Sequence, residues 1–159
     1  MMSNVTIEMA TMQHFEEINA LVKEGHDDHV EALPHIFKDV QEVMPLSYFQ
    51  QLINDLESDM IIAKSSNEVV GFAVISIEQA PSFESVIPRK YAYIHDFGVK
   101  NNQQRKGIGN LLFMACKEWA MANDASSIEL NVWAFNKSAI AFYEQVNMQC
   151  VSQKMELKL

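Results

Sequence analysis

The sequence predicts a mixed α/β fold, in which an early antiparallel sheet is extended by a later parallel strand. The chain has 159 residues, 48% of them hydrophobic, which is enough for one domain with a substantial core. Two apolar runs, 60–64 and 69–78, flank the turn-forming residues 65–68 and predict a β-hairpin. Two later strand-like runs, 91–99 and 128–133, enclose a helical pattern, and this order is typical of a right-handed crossover between parallel strands.

Local patterns predict the elements before the hairpin. Residues 4–9 alternate in polarity like a short strand. Thr11 is a suitable N-cap for a first helix, and Gly25 is expected to end it. Residues 26–45 are polar and predict an irregular segment. A second helix is expected from about Ser47. The apolar residues at helical spacing in these two helices are Phe15, Ile18, Val22, Phe49, Leu52, Ile53 and Leu56.

The second half of the chain predicts two more helices and a last strand. The crossover helix carries one apolar stripe, and a shorter stripe follows the 128–133 strand. Residues 149–157 are expected to form the final strand. The stripes consist of Ile108, Leu111, Leu112, Ala115, Trp119 and Ala122, and of Ala139, Ile140, Phe142, Tyr143 and Val146. We see no linker or repeat, so residues 1–159 are taken as a single domain.

The charge is unevenly distributed and argues against two classes of partner. The net charge is −9, and residues 1–60 carry two bases and twelve acids (2 − 12 = −10). Nucleic acid and anionic membranes are therefore not expected as partners. The acidic segment, residues 1–60, serves either solubility or attraction of a cationic ligand. We see neither a membrane-spanning run nor a signal peptide in the sequence. The two cysteines form no disulfide framework. We therefore expect a cytoplasmic protein.

A glycine-containing loop is the most informative segment. Residues 99–109 leave a strand and enter a helix at Gly107 and Gly109, with Arg105 and Lys106 beside them. Free backbone N–H groups at a helix N-terminus attract anions, and glycine lets a phosphate approach closely. A dinucleotide-binding loop would need glycine at position 112, and a P-loop would need lysine at position 110, which the sequence does not have. The loop predicts phosphate binding of another kind.

Two motifs together resemble the GNAT superfamily of acetyl-CoA-dependent N-acetyltransferases. Gln104-Arg105-Lys106-Gly107-Ile108-Gly109 matches the signature [QR]-x-x-G-x-[GA], and residues 136–143 match N-x-x-A-x-x-[FL]-Y. The resemblance covers roughly residues 60–155. It implies a mixed, twisted sheet of six to seven strands flanked by about four helices and splayed between the fourth and fifth strands. In place of the usual L-G-F turn the chain has Val146-Asn147-Met148, and Asn147 tolerates the left-handed conformation.

The resemblance also implies the cofactor site. Acetyl-CoA would lie in the gap between the splayed strands, with its pantetheine arm pairing with an open strand edge. That role is carried over to Phe97, Gly98 and Val99. The diphosphate would contact Gln104, Arg105, Lys106, Gly107, Ile108 and Gly109. Asn136 would bond pantetheine while also capping a helix, and Ser138 and Tyr143 complete the cofactor-binding set.

Transfer of an acetyl group to an amine requires a base, an oxyanion donor and an acid. Tyr143 stands at the family's tyrosine position and is the expected general acid, although it could also simply pack. His95 is the expected base, Glu78 could act through water, and Asp96 is an option if a bulge changes the strand alternation. The backbone N–H groups of Gly98 and Val99 are the expected oxyanion donors. Without a bulge, Tyr93, His95 and Phe97 share one face of the strand.

The sequence thus predicts an N-acetyltransferase that uses acetyl-CoA without a metal, by direct attack in a ternary complex. The acceptor would be a small-molecule amine or a protein N-terminus. A small amine would be cationic if the acidic segment 1–60 attracts it. A homodimer is compatible with the family. A non-catalytic acyl-CoA-binding sensor or interaction module is the alternative. His26-Asp27-Asp28-His29 has no standard metal-ligand spacing and predicts an exposed acidic loop.

Overall fold

The computed structural model describes residues 4–159 and contains one mixed sheet with helices on both faces. The strands lie in chain order, β1-β2-β3-β4-β5, with the first four antiparallel and β5 parallel to β4. The α/β class and the late parallel crossover are therefore confirmed. The elements are β1 (Val5–Met9), α1 (Phe15–Ala32), α2 (Leu46–Asn54), β2 (Ser58–Ser65), β3 (Glu68–Gln79), β4 (Lys90–Val99), α3 (Ile108–Ala122), β5 (Ile128–Leu130) and α4 (Lys137–Gln145).

The β2–β3 hairpin forms as predicted. Ser65 pairs with Glu68, and the two residues between them, Ser66 and Asn67, have φ angles of 50° and 68°. Two consecutive left-handed residues match the right-handed twist of the strands that they join. The turn at Asn147 also survives, since that residue has a φ of 74°.

Two core clusters lie on opposite faces of the central strand β3. Phe72 and Val74 point towards α1 and α2, where they pack with residues such as Ile18 and Phe49. Ala73 and Ile75 point towards α3 and belong to the second cluster. Because helices cover both faces, β3 is apolar along nearly its whole length. The sheet is therefore held rigidly at its centre, and the candidate site forms towards its β5 side.

The first helix extends beyond its predicted end. Gly25 lies inside α1, which continues to Ala32, so residues 26–29 are helical and not an irregular loop. The added turns are held by tertiary contacts, since His26 bonds the Lys38 carbonyl over 2.6 Å and the Phe37 ring packs on His29 at 5.2 Å. These contacts offset the low helix propensity of one glycine.

The sheet has five strands within residues 4–159, where six to seven were expected. The last strand predicted at 149–157 is absent, and β5 ends at Leu130 although the pattern extends to Trp133. An alternating sequence forms a strand only where a neighbour can bond its backbone. No such neighbour lies beside residues 149–157 in the described part of the chain.

Candidate active site

The sheet opens between β4 and β5, as expected. Only three residue pairs join these strands: Ala92 with Ile128, Tyr93 with Glu129, and Ile94 with Leu130. Beyond Ile94, residues 96–99 of β4 pair with β3 alone. Their other edge presents backbone donors and acceptors to the gap, which is the geometry that an extended ligand can bond as if it were a further strand.

A bulge at His95 changes the faces of β4. Val74 pairs with Asp96 but Ile75 pairs with Ile94, which leaves His95 as the extra residue. Asp96 therefore shares the α1–α2 face with Val74, and Phe97 joins the cluster beneath α3. The simple alternation that grouped Phe97 with Tyr93 and His95 is wrong for this reason.

Asp96 is a titratable residue on the open stretch of β4. Burial raises the pKa of its carboxyl to about 6, while the Phe97 N–H, which donates to Oδ1 over 3.0 Å, and nearby His29 act in the opposite direction. Its charge in turn helps to raise the pKa values of Tyr48 and Tyr143, after the larger effect of burial on each. Tyr48 of α2 and Tyr143 of α4 thus lie within electrostatic reach of this carboxyl group.

Tyr143 lies half-buried on α4, against the second half of β4. Its ring centroid is 6.1 Å from that of Phe97 and 5.4 Å from that of Phe142. Burial raises the pKa of its phenol well above the ordinary value, with smaller contributions from Asp96 and Cys116. The hydroxyl therefore keeps its proton at neutral pH and can donate it.

His95 belongs to a second polar group. Its Nε2 lies 2.7 Å from Ser76 Oγ, and that hydroxyl donates to Glu78 Oε1 over 3.0 Å. Burial lowers the pKa of His95, against the opposing effect of Glu78, so the imidazole is neutral at pH 7. Because Ser76 pairs with Tyr93, this group extends back towards the first half of β4, away from the opening.

The glycine loop forms the N-terminus of α3. Gly107 precedes the helix with a φ of 84°, in the left-handed region that favours glycine, and no side chain caps the helix there. The first N–H groups of α3 consequently lack intrahelical partners. Gln104 fastens the loop to β4, since its Nε2 donates to the Val99 carbonyl over 3.1 Å. Arg105 and Lys106 are exposed beside these N–H groups.

The second half of α4 packs against the start of α3. A Cβ added at Gly109 would come within 3.1 Å of the Phe142 ring, so glycine allows the two helices to approach closely. Asn136 caps α4, with its Oδ1 accepting the Ala139 N–H over 3.1 Å, and Ser138 Oγ lies 3.3 Å from the same oxygen. The expected capping role of Asn136 is confirmed.

The histidines and acids of residues 26–29 do not form a metal centre. Among residues 4–159, no three His, Cys, Asp or Glu side chains are grouped to hold an ion. His29 Nδ1 instead lies 2.5 Å from the Gly25 carbonyl. Cys116 is buried, and burial raises the pKa of its thiol to about 12, which disfavours the reactive thiolate. Within the same residues, no helix is both long and apolar enough to cross a bilayer.

Sequence reasoning missed Tyr48 near Asp96 and placed His29 in an exposed acidic loop. Tyr48 and His29 come from α2 and α1, far from β4 in sequence, and each stands in a segment without a motif. Only the packing of both helices on the sheet brings them together.

Comparison with known proteins adds independent information. The profile described as "Acetyltransferase (GNAT) family" matches residues 22–148. The uncharacterized N-acetyltransferase YhfO of Bacillus subtilis is 28% identical over 99 residues, covering 62% of this chain and 64% of that protein. The L-ornithine N5-acetyltransferase NATA1 of Arabidopsis thaliana is 30% identical over 99 residues, covering 61% of this chain and 42% of that protein. The match thus spans less than two thirds of either curated relative.

A solved structure shares the whole fold. The crystal structure of a mutant of the BH1408 protein from Bacillus halodurans superposes with a TM-score of 0.95 at 32% identity. The alignment covers 97% of this chain and 99% of that one.

Proposed function

The chain belongs to the acetyltransferase (GNAT) family, and from this premise we propose that it transfers the acetyl group of acetyl-CoA to an amine. One observation carries the proposal. The sheet opens directly beside a glycine-led helix N-terminus, and a carboxyl group and a protonated tyrosine lie at the opening. These are the features that thioester binding and acyl transfer to an amine require.

Acetyl-CoA would be held by two backbone surfaces. The open edge of β4 at Phe97, Gly98 and Val99 would pair with the amides of the pantetheine arm, and the loop 104–109 would hold the diphosphate. The loop suits such a ligand. Gly107 adopts a left-handed φ of 84° and has no Cβ that could block the free N–H groups of α3. Asn136 and Ser138 lie at the start of α4, on the far side of the gap.

Replacing Gly107 with valine is expected to raise the Kd for CoA by about 10- to 100-fold. A β-branched residue disfavours the φ of 84°, and the loss of one charge-assisted hydrogen bond costs about 1.5–3 kcal/mol. Isothermal titration with CoA measures the change. Gly25→Ala is the control, because nothing lies within 4 Å of that position, and its Kd should stay unchanged. An unaltered Kd in Gly107→Val would contradict the proposed diphosphate site.

The reaction would use the two groups at the opening. Bound acetyl-CoA supplies an activated acetyl thioester whose sulfur leaves as a thiolate. Asp96 would take one proton from the acceptor ammonium, and the neutral amine would then attack the thioester carbonyl and form the C–N bond. As the C–S bond breaks, Tyr143 would give its proton to the departing sulfur, and its phenolate would recover a proton from the nitrogen that becomes the amide. The backbone N–H groups of Gly98 and Val99 are the candidate donors to the carbonyl oxygen.

Asp96 is our first candidate for the base because of its position. It acts electrostatically on Tyr143 across the opening, whereas His95 bonds Ser76 away from the gap. A pKa of about 6 leaves the carboxyl ionised at pH 7 yet basic enough to accept a proton. His95, with Glu78 behind it, stays the alternative base.

The acceptor is proposed to be a small amine with a second positive charge. The segments that border the α1–α2 face belong to residues 1–60, whose net charge is −10 (2 − 12). A field of this sign attracts a cation from solution. The Arabidopsis relative is named for ornithine, an amino acid with two amino groups, which supports the same class. A protein N-terminus is a further candidate.

Release of free CoA thiol across amine classes tests the function. We expect diamines and basic amino acids to give thiol release at least about tenfold above neutral monoamines, with a preference that shrinks as salt screens the charges. Release with neutral amines only would contradict the cationic acceptor. If CoA binds with no release for any amine, the chain is instead a non-catalytic acyl-CoA-binding module.

A further inference from the structure

A row of polar side chains continues from Asp96 along the same face of the sheet. Ser76 and Glu78 follow Val74 at every second position of β3, so they share the face of Asp96, which pairs with Val74. His95 joins the row through its bond to Ser76. The side chains of His95 and Glu78 are 37% and 45% exposed, so the far end of the row is accessible to a ligand.

Glu78 ends this row with a carboxylate whose charge is not neutralised. Within residues 4–159 it lies near no lysine or arginine, and its ion-pair contact is His95 Nε2 at 3.9 Å. That imidazole is neutral at pH 7, because burial lowers its pKa. Arg89 lies over the ring of Tyr91, which pairs with Glu78, but it bonds Glu129 of β5 instead. An accessible carboxylate of this kind attracts a cation.

Two rings lie between the carboxyl groups of Asp96 and Glu78. Tyr93 pairs with Ser76, which places it between the two acids along the strands. Its ring centroid is 4.8 Å from that of His95. Ring surfaces suit the methylene groups of an alkyl chain, and a tyrosine face also attracts an alkylammonium group. The surface therefore presents an acid, a largely apolar middle and a second acid in one line.

We propose that Glu78 binds the distal ammonium of a straight-chain diamine while the near nitrogen lies at Asp96 and receives the acetyl group. This inference rests on the proposed function, since it takes Asp96 as the place where the reacting nitrogen is deprotonated. Glu78 is then a specificity-determining residue, which selects the acceptor without taking part in proton transfer. A monoamine of the same length would occupy only half of the surface.

The separation of the two acids sets the length of the acceptor. Val74 and Glu78 are four residues apart, which is about 13 Å along an antiparallel strand. The Glu78 carboxyl leans back by about one residue spacing, because its Oε1 accepts the Ser76 hydroxyl, so about 10 Å separate it from Asp96. With a hydrogen bond of about 2.8 Å at each end, two nitrogens about 5–6 Å apart fit between the acids. An extended chain gains about 1.25 Å per bond, so three or four carbons match this distance.

Calorimetric titration in the presence of CoA tests the subsite without turnover. The probes are 1,4-diaminobutane and 1-aminobutane, which differ by one ammonium group. We expect the diamine to have a Kd at least about tenfold lower in the natural chain, and Glu78→Gln to remove this difference. Glutamine keeps an oxygen for the Ser76 hydroxyl, so the row should stay folded. Glu84→Gln removes the same charge from the exposed loop 80–89 and should keep the difference.

Two outcomes of the titration would overturn the subsite. One is an equal Kd for both probes in the natural chain, and the other is a diamine Kd that Glu78→Gln leaves unaltered. The subsite and the proposed transfer can fail separately. Thiol release with both amines at equal KM would retain the transfer and exclude the subsite. Tight diamine binding that depends on Glu78, with no thiol release for any amine, would retain the subsite and exclude the transfer.

The length of the diamine provides a second measurement. In the natural chain, kcat/KM for thiol release should be highest with three or four carbons and at least about tenfold lower with eight. Glu78→Asp keeps the charge but withdraws the carboxyl by one bond of about 1.5 Å, so the best diamine should become one carbon longer. An optimum that stays at the same length in Glu78→Asp would contradict a role for Glu78 in measuring the acceptor.

Discussion

Tyr143→Phe is expected to lower kcat by about 10²- to 10⁴-fold, the range typical of a lost general acid. The substitution removes only the hydroxyl, and the ring keeps its packing against Phe97 and Phe142. The Kd for acetyl-CoA should therefore change by less than about threefold. Steady-state thiol release gives kcat, and isothermal titration gives the Kd.

A second tyrosine provides the matched control for this variant. Tyr91 lies at the start of β4, with the Arg89 guanidinium 4.7 Å above its ring, away from the opening of the sheet. Tyr91→Phe removes the same hydroxyl there and should leave kcat unchanged. If Tyr143→Phe retained full kcat, the acid assignment would be wrong. Equal losses in both variants would point to a general structural effect.

Asp96→Asn is expected to lower kcat/KM by about 10²- to 10⁴-fold and at the same time to stabilise the fold. The amide cannot accept the acceptor's proton, which accounts for the lost rate. In the natural enzyme, kcat/KM should fall as the pH drops through about 6, because Asp96 becomes protonated. The variant's residual activity should lack that acidic limb.

The gain in stability follows from the direction of the pKa shift. Folding raises the pKa of Asp96 from 3.8 to about 6, so its contribution to stability is present below pH 3.8 and is lost as the pH rises through 6. At pH 8 the natural chain bears the cost of a buried carboxylate. Asparagine avoids it and can keep the bond to the Phe97 N–H, so the free energy of unfolding should rise by about 1–3 kcal/mol. Urea unfolding at pH 8 and pH 4 measures the difference, which should shrink at pH 4.

His95→Gln distinguishes the two candidate bases. It keeps a side-chain group that can bond Ser76, and if Asp96 is the base it should reduce kcat/KM by less than about tenfold. A larger loss in His95→Gln than in Asp96→Asn would transfer the role to His95 and Glu78.

The sequence predicted the features that depend on local chemistry. The hairpin follows from a polar turn between two apolar runs, and the helix start proposed to bind the diphosphate follows from Gly107 and its basic neighbours. The opening of the sheet was expected from the family resemblance. The hairpin and the helix start are each encoded in consecutive residues.

Features that depend on tertiary packing escaped prediction. The bulge at His95 is a one-residue register shift, which leaves no mark in the sequence yet moves Asp96 to the other face. Contacts from Lys38 and Phe37 carry α1 past Gly25. The strand predicted at 149–157 is absent from the structure, because an alternating pattern does not reveal whether a neighbouring strand is available.

The position of the Phe72 ring limits how the sequence of this enzyme can change. It packs in the cluster beneath α1 and α2, and a Cβ at Gly98 would come within 2.9 Å of it. Repacking those helices to accept a different amine would therefore also move the backbone at Gly98, which is proposed to bind the cofactor. Substrate range and turnover should evolve together, and position 98 should stay closed to every residue larger than glycine.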